Sequence, residues 1–288
     1  VILLGMHLRN LTIGAAAALA LIPAGTALAA TIDGGPGNER LRGTNFADRI
    51  DGNAGNDRIF GRAGDDQLIG GPGNDRVFGG RGNDSIAGVQ GNDLLNGGPG
   101  DDTVTGDANG TGDLTSFDRI YGGPGKDVLK GGDSRDRIFG GSGDDTSYGE
   151  NGNDRMAGGT GNDVQDGGPG NDTIFANLGQ DTSYGGDGND TLWALARGDV
   201  APGPGVDQVG DRLDGGAGND TFRTRDGEVD RITCGDGIDR ALLDQVDVIT
   251  DATAANPNGS CERVVRKAPK VKDSTSEDAQ QSPATPTA

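Results

Sequence analysis

From about residue 37 to 226, a single inward-type apolar residue recurs every nine positions between runs of Gly, Asn and Asp. Gly64-Asp65-Asp66-Gln67-Leu68-Ile69-Gly70-Gly71-Pro72 is followed by Gly73-Asn74-Asp75-Arg76-Val77-Phe78-Gly79-Gly80-Arg81. A second run, in phase with itself, extends from Gly125-Lys126-Asp127 to Gly188-Asn189-Asp190, and the last clear unit is Gly215-Gly216-Ala217-Gly218-Asn219-Asp220-Thr221-Phe222. Glycine permits positive φ and tight turns, and Asn is the next most tolerant residue of the left-handed region. Triplets such as Arg58-Ile59-Phe60, Arg76-Val77-Phe78 and Thr173-Ile174-Phe175 read as minimal strands, centre inward and flanks outward. Turn, strand, turn, strand makes one coil of about 18 residues; stacked coils give two parallel sheets around a thin apolar seam, with neighbouring strands about 4.8 Å apart.

The period breaks near 106–115 and again, in a Pro- and Gly-rich stretch, near 197–208. Both are expected to bulge from the roll as tolerated insertions, with Asp107 and Asp113 as loop residues rather than ligands. Three units lose the inward apolar residue: Thr146-Ser147-Tyr148, Val164-Gln165-Asp166 and Thr182-Ser183-Tyr184. One reading is a polar inner stripe on one sheet, with Tyr148 and Tyr184 outside and Asp166 between them, acting as a weak spot or interaction patch. The other, preferred here, is a local change in which residues point inward. Arg49, Arg58, Arg76, Arg119, Arg137 and Arg155 occupy outward strand positions. They read as a solvated face that balances nearby acid, with contact to an acidic glycan as the competing role.

Residues 1–29 read as an export signal: Arg9 is basic, 11–22 are apolar apart from Thr12, Pro23 and Gly25 break the helix, and Ala27-Leu28-Ala29 offers a cleavage site before Ala30. A retained anchor is the competing reading, although the stretch is short for a membrane span. The start is open between Val1 and Met6. No second apolar run follows, so no membrane span is expected after cleavage. Beyond Phe222 the period loosens. The stretch from Asp230 to Arg240 resembles a worn repeat, and residues 227–266 are expected to cap the open end of the roll. Cys234 and Cys261 are the only cysteines, which in an exported chain points to one disulfide. Its loop of about 27 residues would contribute roughly 3–4 kcal/mol. The segment 267–288, rich in Lys, Ser, Thr, Pro and Gln, reads as a disordered tail.

Composition narrows the chemistry. With 56 Gly in 288 residues, 32% hydrophobic and 4% aromatic, the chain lacks the material of a conventional globular core, and the period selects a repeat architecture over disorder. The formal charge of -20, from 45 acidic and 25 basic residues, repels nucleic acid. Carboxylate and carbonyl oxygens suit hard cations, calcium or magnesium, better than zinc or copper. His7 is the only histidine and is lost with the signal, which excludes a Ser-His-Asp triad, a His-assisted cysteine nucleophile and His-ligated zinc in the mature chain.

Over about two thirds of the chain the unit resembles the RTX, or haemolysin-type, nonapeptide Gly-Gly-x-Gly-x-Asp-x-apolar-x. The resemblance implies an all-β, right-handed parallel β-roll over 30–226 whose turns hold several calcium ions between the repeat aspartates and backbone carbonyls of adjacent coils. The aspartates matching by position are Asp48, Asp57, Asp66, Asp75, Asp84, Asp93, Asp102, Asp118, Asp127, Asp136, Asp145, Asp154, Asp163, Asp172, Asp181, Asp190 and Asp220. Stacking would set like carboxylates one strand apart, at a repulsion of roughly 3 kcal/mol per neighbouring pair for an effective dielectric near 20. A divalent ion between coils reverses that sign, so calcium is expected to fold the chain. The competing reading is a glycine-rich turn scaffold whose aspartates merely accept local hydrogen bonds. Many members of the family leave the cell with an uncleaved C-terminal signal; the N-terminal signal here departs from that, so toxin biology is not carried over.

The expected function is a secreted, extracellular calcium-binding module, structural, adhesive or associated with the cell surface, with calcium and an extracellular or cell-surface glycan as partners. The alternative is a polysaccharide-acting enzyme of lyase or epimerase type on a calcium-stabilised roll. Regularly spaced aspartates single out no acid/base pair, so no catalytic residue is assigned. An ice-binding roll would need flat ranks of Thr, and the outward positions are too mixed.

Overall fold

The computed structural model describes residues 29–107, 116–194 and 210–267. The expected signal up to residue 28, the insertions across 108–115 and 195–209, and the tail from 268 lie outside the described residues, as does Asp113. Within the described residues all helix and strand structure is strand. Successive strands alternate between two 12-stranded sheets. The first sheet runs from Thr31–Asp33 to Val248–Ile249, the second from Arg40–Arg42 to Arg263–Arg266, and neighbours pair in parallel. This is the all-β, parallel β-roll expected from the nine-residue period. No helix among the described residues is long and apolar enough to cross a membrane.

Each coil copies the one before it. Ile50 pairs with Leu68 and Ile86 in the first sheet, and Ile59 with Val77 and Leu95 in the second. All six are buried and meet in one seam between the sheets. The side-chain period of two puts one residue of each triplet inside and its neighbours outside. The turns need glycine for two reasons at once. Gly73 has φ 146°, and a Cβ there would strike the Gly55 carbonyl of the preceding coil.

The preferred expectation for the three polar units is overturned. Ser147, Gln165 and Ser183 keep the register of the sheet, between Leu129 and Leu213, and are 2%, 0% and 0% exposed. A one-residue shift would turn every side chain of a strand to the other face, and the coils on either side hold the register. Tyr148, Asp166 and Tyr184 therefore form an outward row. Ser183 Oγ donates to Gln165 Oε1 at 3.2 Å, whereas Gln165 Nε2 is buried without an acceptor. The stripe divides the interior: one apolar cluster ends at Ile174 and a second begins at Leu192.

Residues 227–266 extend both sheets. Arg231–Thr233 and Val248–Ile249 join the first, Arg240–Leu243 and Arg263–Arg266 the second. The disulfide expected from the sequence is present: Cys234 and Cys261 are bridged with Cα atoms 5.3 Å apart, both buried in the second cluster.

The two outer faces differ. On the second sheet, Arg40, Arg58 and Arg76 stand in register on consecutive coils, as do Arg119, Arg137 and Arg155. Beside them runs an aromatic row with Phe60 stacked on Phe78, Tyr121 on Phe139 and Phe175 on Trp193, at centroid distances of 5.3, 5.2 and 5.6 Å. The corresponding row of the first sheet carries Asp33, Asp51, Asp166 and Asp214.

Replacing the buried amide and its hydroxyl partner together, as Gln165→Leu/Ser183→Ala, joins the two clusters and removes an unsatisfied donor. The double variant is expected to be more stable by about 1–3 kcal/mol in thermal melts with calcium present; a lower melting point would contradict the burial described.

Candidate metal centres

The repeat aspartates form two ladders along the two edges of the roll where the turns lie. In the first, the Asp48 N–H donates to Asp66 Oδ1 at 2.7 Å, Asp66 N–H to Asp84 Oδ1 at 2.8 Å, and the pattern continues through Asp102, Asp127, Asp145, Asp163 and Asp181. In the second, Asp57 donates to Asp75 Oδ1 at 2.7 Å, followed by Asp93, Asp118, Asp136, Asp154, Asp172, Asp190 and Asp220. All seventeen aspartates picked out from the sequence are thus brought into two rows and buried. The ladders cross both insertions without a break: Asp93 reaches Asp118, and Asp190 reaches Asp220.

Each carboxylate spends one oxygen on this ladder. The other, Oδ2, is buried without a hydrogen-bond partner in Asp57, Asp66, Asp75, Asp84, Asp93, Asp102 and in most of those that follow. Asp48, at the start of the first ladder, differs, because its Oδ2 accepts from Thr44 N–H at 2.5 Å. Beside most of these oxygens lies a glycine, and beyond it a backbone carbonyl of the next coil, as at Gly52, Gly61, Gly70, Gly79 and Gly88; before Asp181 the glycine is replaced by Ala176. A Cβ added to Gly185 would sit 2.5 Å from both Asp190 Oδ2 and Gly215 O; one added to Gly131 would sit 2.6 Å from Gly149 O and 2.7 Å from Asp136 Oδ2. The glycine keeps carbon out of a small pocket lined by oxygens from two coils. Among the described residues no three His, Cys, Asp or Glu side chains converge on a point. The donors are therefore one carboxylate plus backbone carbonyls per pocket, a hard oxygen set that fits calcium.

Electrostatics point the same way. Burial pushes Asp66 and Asp75 up to about 6, Asp84 and Asp102 to about 7, Asp93 and Asp145 to about 8, and Asp118 and Asp154 to about 9. Neighbouring ladder carboxylates push in the same direction, and the backbone N–H each accepts only partly opposes them. Such a group is comfortable only when it is protonated or when a cation sits beside it.

The ladders are longer than the sequence reading allowed. Asp181 continues to Asp211, Asp230 and Asp247, and Asp220 to Asp239 and Glu262. Burial pushes Asp211 up to about 10 and raises Asp230 well above the usual range. These residues lack the full glycine run before the aspartate. Their signal was the shorter pattern Asp-x-apolar, as in Asp211-Arg212-Leu213, Asp230-Arg231-Ile232 and Asp247-Val248-Ile249. The expectation that Asp107 is a loop residue also fails: it ends the strand Thr103–Asp107, is fully buried, and adds to the charge felt by Asp93 and Asp118.

The family model described as RTX calcium-binding nonapeptide repeat (4 copies) matches residues 33–68, 53–86, 78–109, 115–147, 148–182, 157–192 and 210–240. The chain belongs to that family. The matches cover more than half of its residues and include every coil that carries a ladder aspartate from Asp48 to Asp220. No curated protein matches the chain. RTX nonapeptide repeats are calcium binders, and this chain is a calcium-binding β-roll module. The last RTX match ends at residue 240, whereas the hydrogen-bonded ladders run on to Asp247 and Glu262.

Proton competition sets a direction. With folded values raised from 3.8 to about 6–9, the metal-free roll holds extra protons. That contribution to stability is full below the ordinary carboxylate range and is lost as pH rises through 6–9. Calcium must displace those protons, so the calcium midpoint is expected to move to higher concentration as pH falls from about 8 to 6. Proton release on calcium addition, read in a weakly buffered titration, checks it; no release would contradict it. Gly185→Ala fills one oxygen pocket and is expected to remove about one bound ion per chain and raise the midpoint, measured by calorimetric stoichiometry.

Proposed function

We propose that the chain is a secreted module that calcium folds into a roll, acting outside the cell as a structural, adhesive or surface-associated element. The observation that carries this reading is the buried Oδ2 without a partner, repeated coil after coil beside a glycine carbonyl of the next coil. The ligand aspartates are the ladder members from Asp57 onward, Asp211, Asp230 and Asp239 included, with Asp48 beginning the row. Identical carboxylates stacked one strand apart oppose folding, and the seam of one buried residue per strand is thin. An ion shared by two coils turns the repulsion into attraction and ties each coil to the next.

A site of extracellular type, with Kd about 10⁻⁴–10⁻³ M, gains only about 0.4–1.4 kcal/mol at millimolar calcium. The whole therefore depends on many sites acting together, and on a compartment where calcium is millimolar. The export signal read at residues 1–29 and the disulfide between Cys234 and Cys261 support the same compartment. In this reading residues 30–226 are the roll proper, 227–266 close its end, and an extracellular or cell-surface glycan is the partner.

Circular dichroism of the mature protein is expected to show little strand signal in excess chelator and a cooperative gain on titrating calcium. Identical spectra in both conditions, with no calcium uptake, would refute the proposal.

A further inference from the structure

The outward face of the second sheet is positive, although the chain carries a net charge of -20. Arg40, Arg58, Arg76 and Arg119 are exposed, and Arg137 and Arg155 are half-buried. The parallel register that stacks the aspartates also stacks these guanidiniums, in two runs of three consecutive coils. Neither of the two central outward rows of this sheet holds an acidic residue. Among the described residues no carboxylate forms an ion pair with Arg40, Arg58, Arg76, Arg119 or Arg137.

Aromatic rings support the forks instead. Arg40 lies 5.1 Å from the Phe60 ring, Arg119 and Arg137 lie 5.4 and 5.3 Å from Phe117, and Arg155 lies 4.6 Å from Phe175. A ring under a guanidinium limits its rotamers and leaves its planar set of donors to other partners. Burial, followed by the nearby charges of Arg137 and Arg135, lowers the pKa of Arg155.

We propose that this face binds a linear acidic polysaccharide, carboxylated or sulfated, laid along the roll axis across the arginine rows. Like charges at regular spacing call for a counter-charge that repeats along a line, and a polymer of acidic sugars has that form. The proposal rests on the calcium-folded roll, because the arginines align only when the coils are stacked. Single-stranded nucleic acid fits less well: base recognition needs open aromatic faces, and here the rings stack on one another or lie beneath guanidiniums.

The test uses the full mature protein in calcium, with hyaluronan and dextran sulfate as the carboxylated and sulfated probes, neutral dextran as control and a single-stranded oligonucleotide as competitor class. At least one acidic polymer is expected to bind, more weakly as salt rises, and dextran is not. Arg119→Gln/Arg137→Gln is expected to lower that affinity at least tenfold while leaving the calcium-induced dichroism unchanged. Arg212→Gln/Arg231→Gln removes the same charge from the other sheet, where the two residues are also neighbours, and is expected to leave affinity unchanged. Absence of binding by protein that calcium has folded, equal losses in the two double variants, or tighter binding of the oligonucleotide would overturn the proposal and leave the calcium roll standing. Failure of calcium to fold the protein would instead overturn the reading beneath it.

Discussion

In a parallel, in-register stack every residue lies one strand spacing from its own counterpart in the next coil. For apolar residues this is favourable: Ile50, Leu68 and Ile86 build a continuous seam from one contact repeated. For backbone groups it is neutral, since each coil satisfies the next. For ionised side chains it is a penalty that grows with each coil added. The aspartate rows are where this constraint is most severe, because the carboxylates are buried as well as aligned. One oxygen of each is taken by a backbone N–H and helps to set the register. In most of them the other is buried without a hydrogen-bond partner, beside a backbone carbonyl of the next coil.

Seen this way, glycine does more than turn the chain. Gly73 supplies a backbone conformation and a close approach between coils, while Gly185 keeps a volume clear between a carboxylate and a carbonyl. The two roles fall at different positions of the unit. The repeat can thus lose a glycine in a turn, as at Asn53 or Glu150 with φ 67° in each, and keep its ladder. The C-terminal coils show the limit of that tolerance: the aspartates from Asp211 to Asp247 remain aligned although the glycine pattern has worn away.

The polar stripe and the arginine face are two further results of the same stacking. A run of Ser147, Gln165 and Ser183 is carried inward because its neighbours hold the register, so the seam is interrupted rather than the strands displaced. On the outside, the alternation that hides one residue of each triplet presents its two flanks as continuous rows. The rows concentrate arginine and aromatic rings on one sheet and aspartate on the other.

The sequence alone determined the coil: its nine-residue period, its two sheets, which residue is buried in the triplets with an apolar centre, the aspartate in each turn, and the pairing of the only two cysteines. These follow from local chemistry repeated many times, since turn preference, strand alternation and composition act within a few residues. What only the tertiary structure decided is how distant units align. Asp211, Asp230, Asp239 and Asp247 joined the rows because the sheets carried the register past an insertion and into irregular sequence. Asp107 was drawn inside by the strand it ends, and Ser147, Gln165 and Ser183 were held inward by the coils on either side. Whether a side chain is buried, or stands next to its own kind, depends on pairing across 17 to 30 residues, and no pattern within a single unit encodes it.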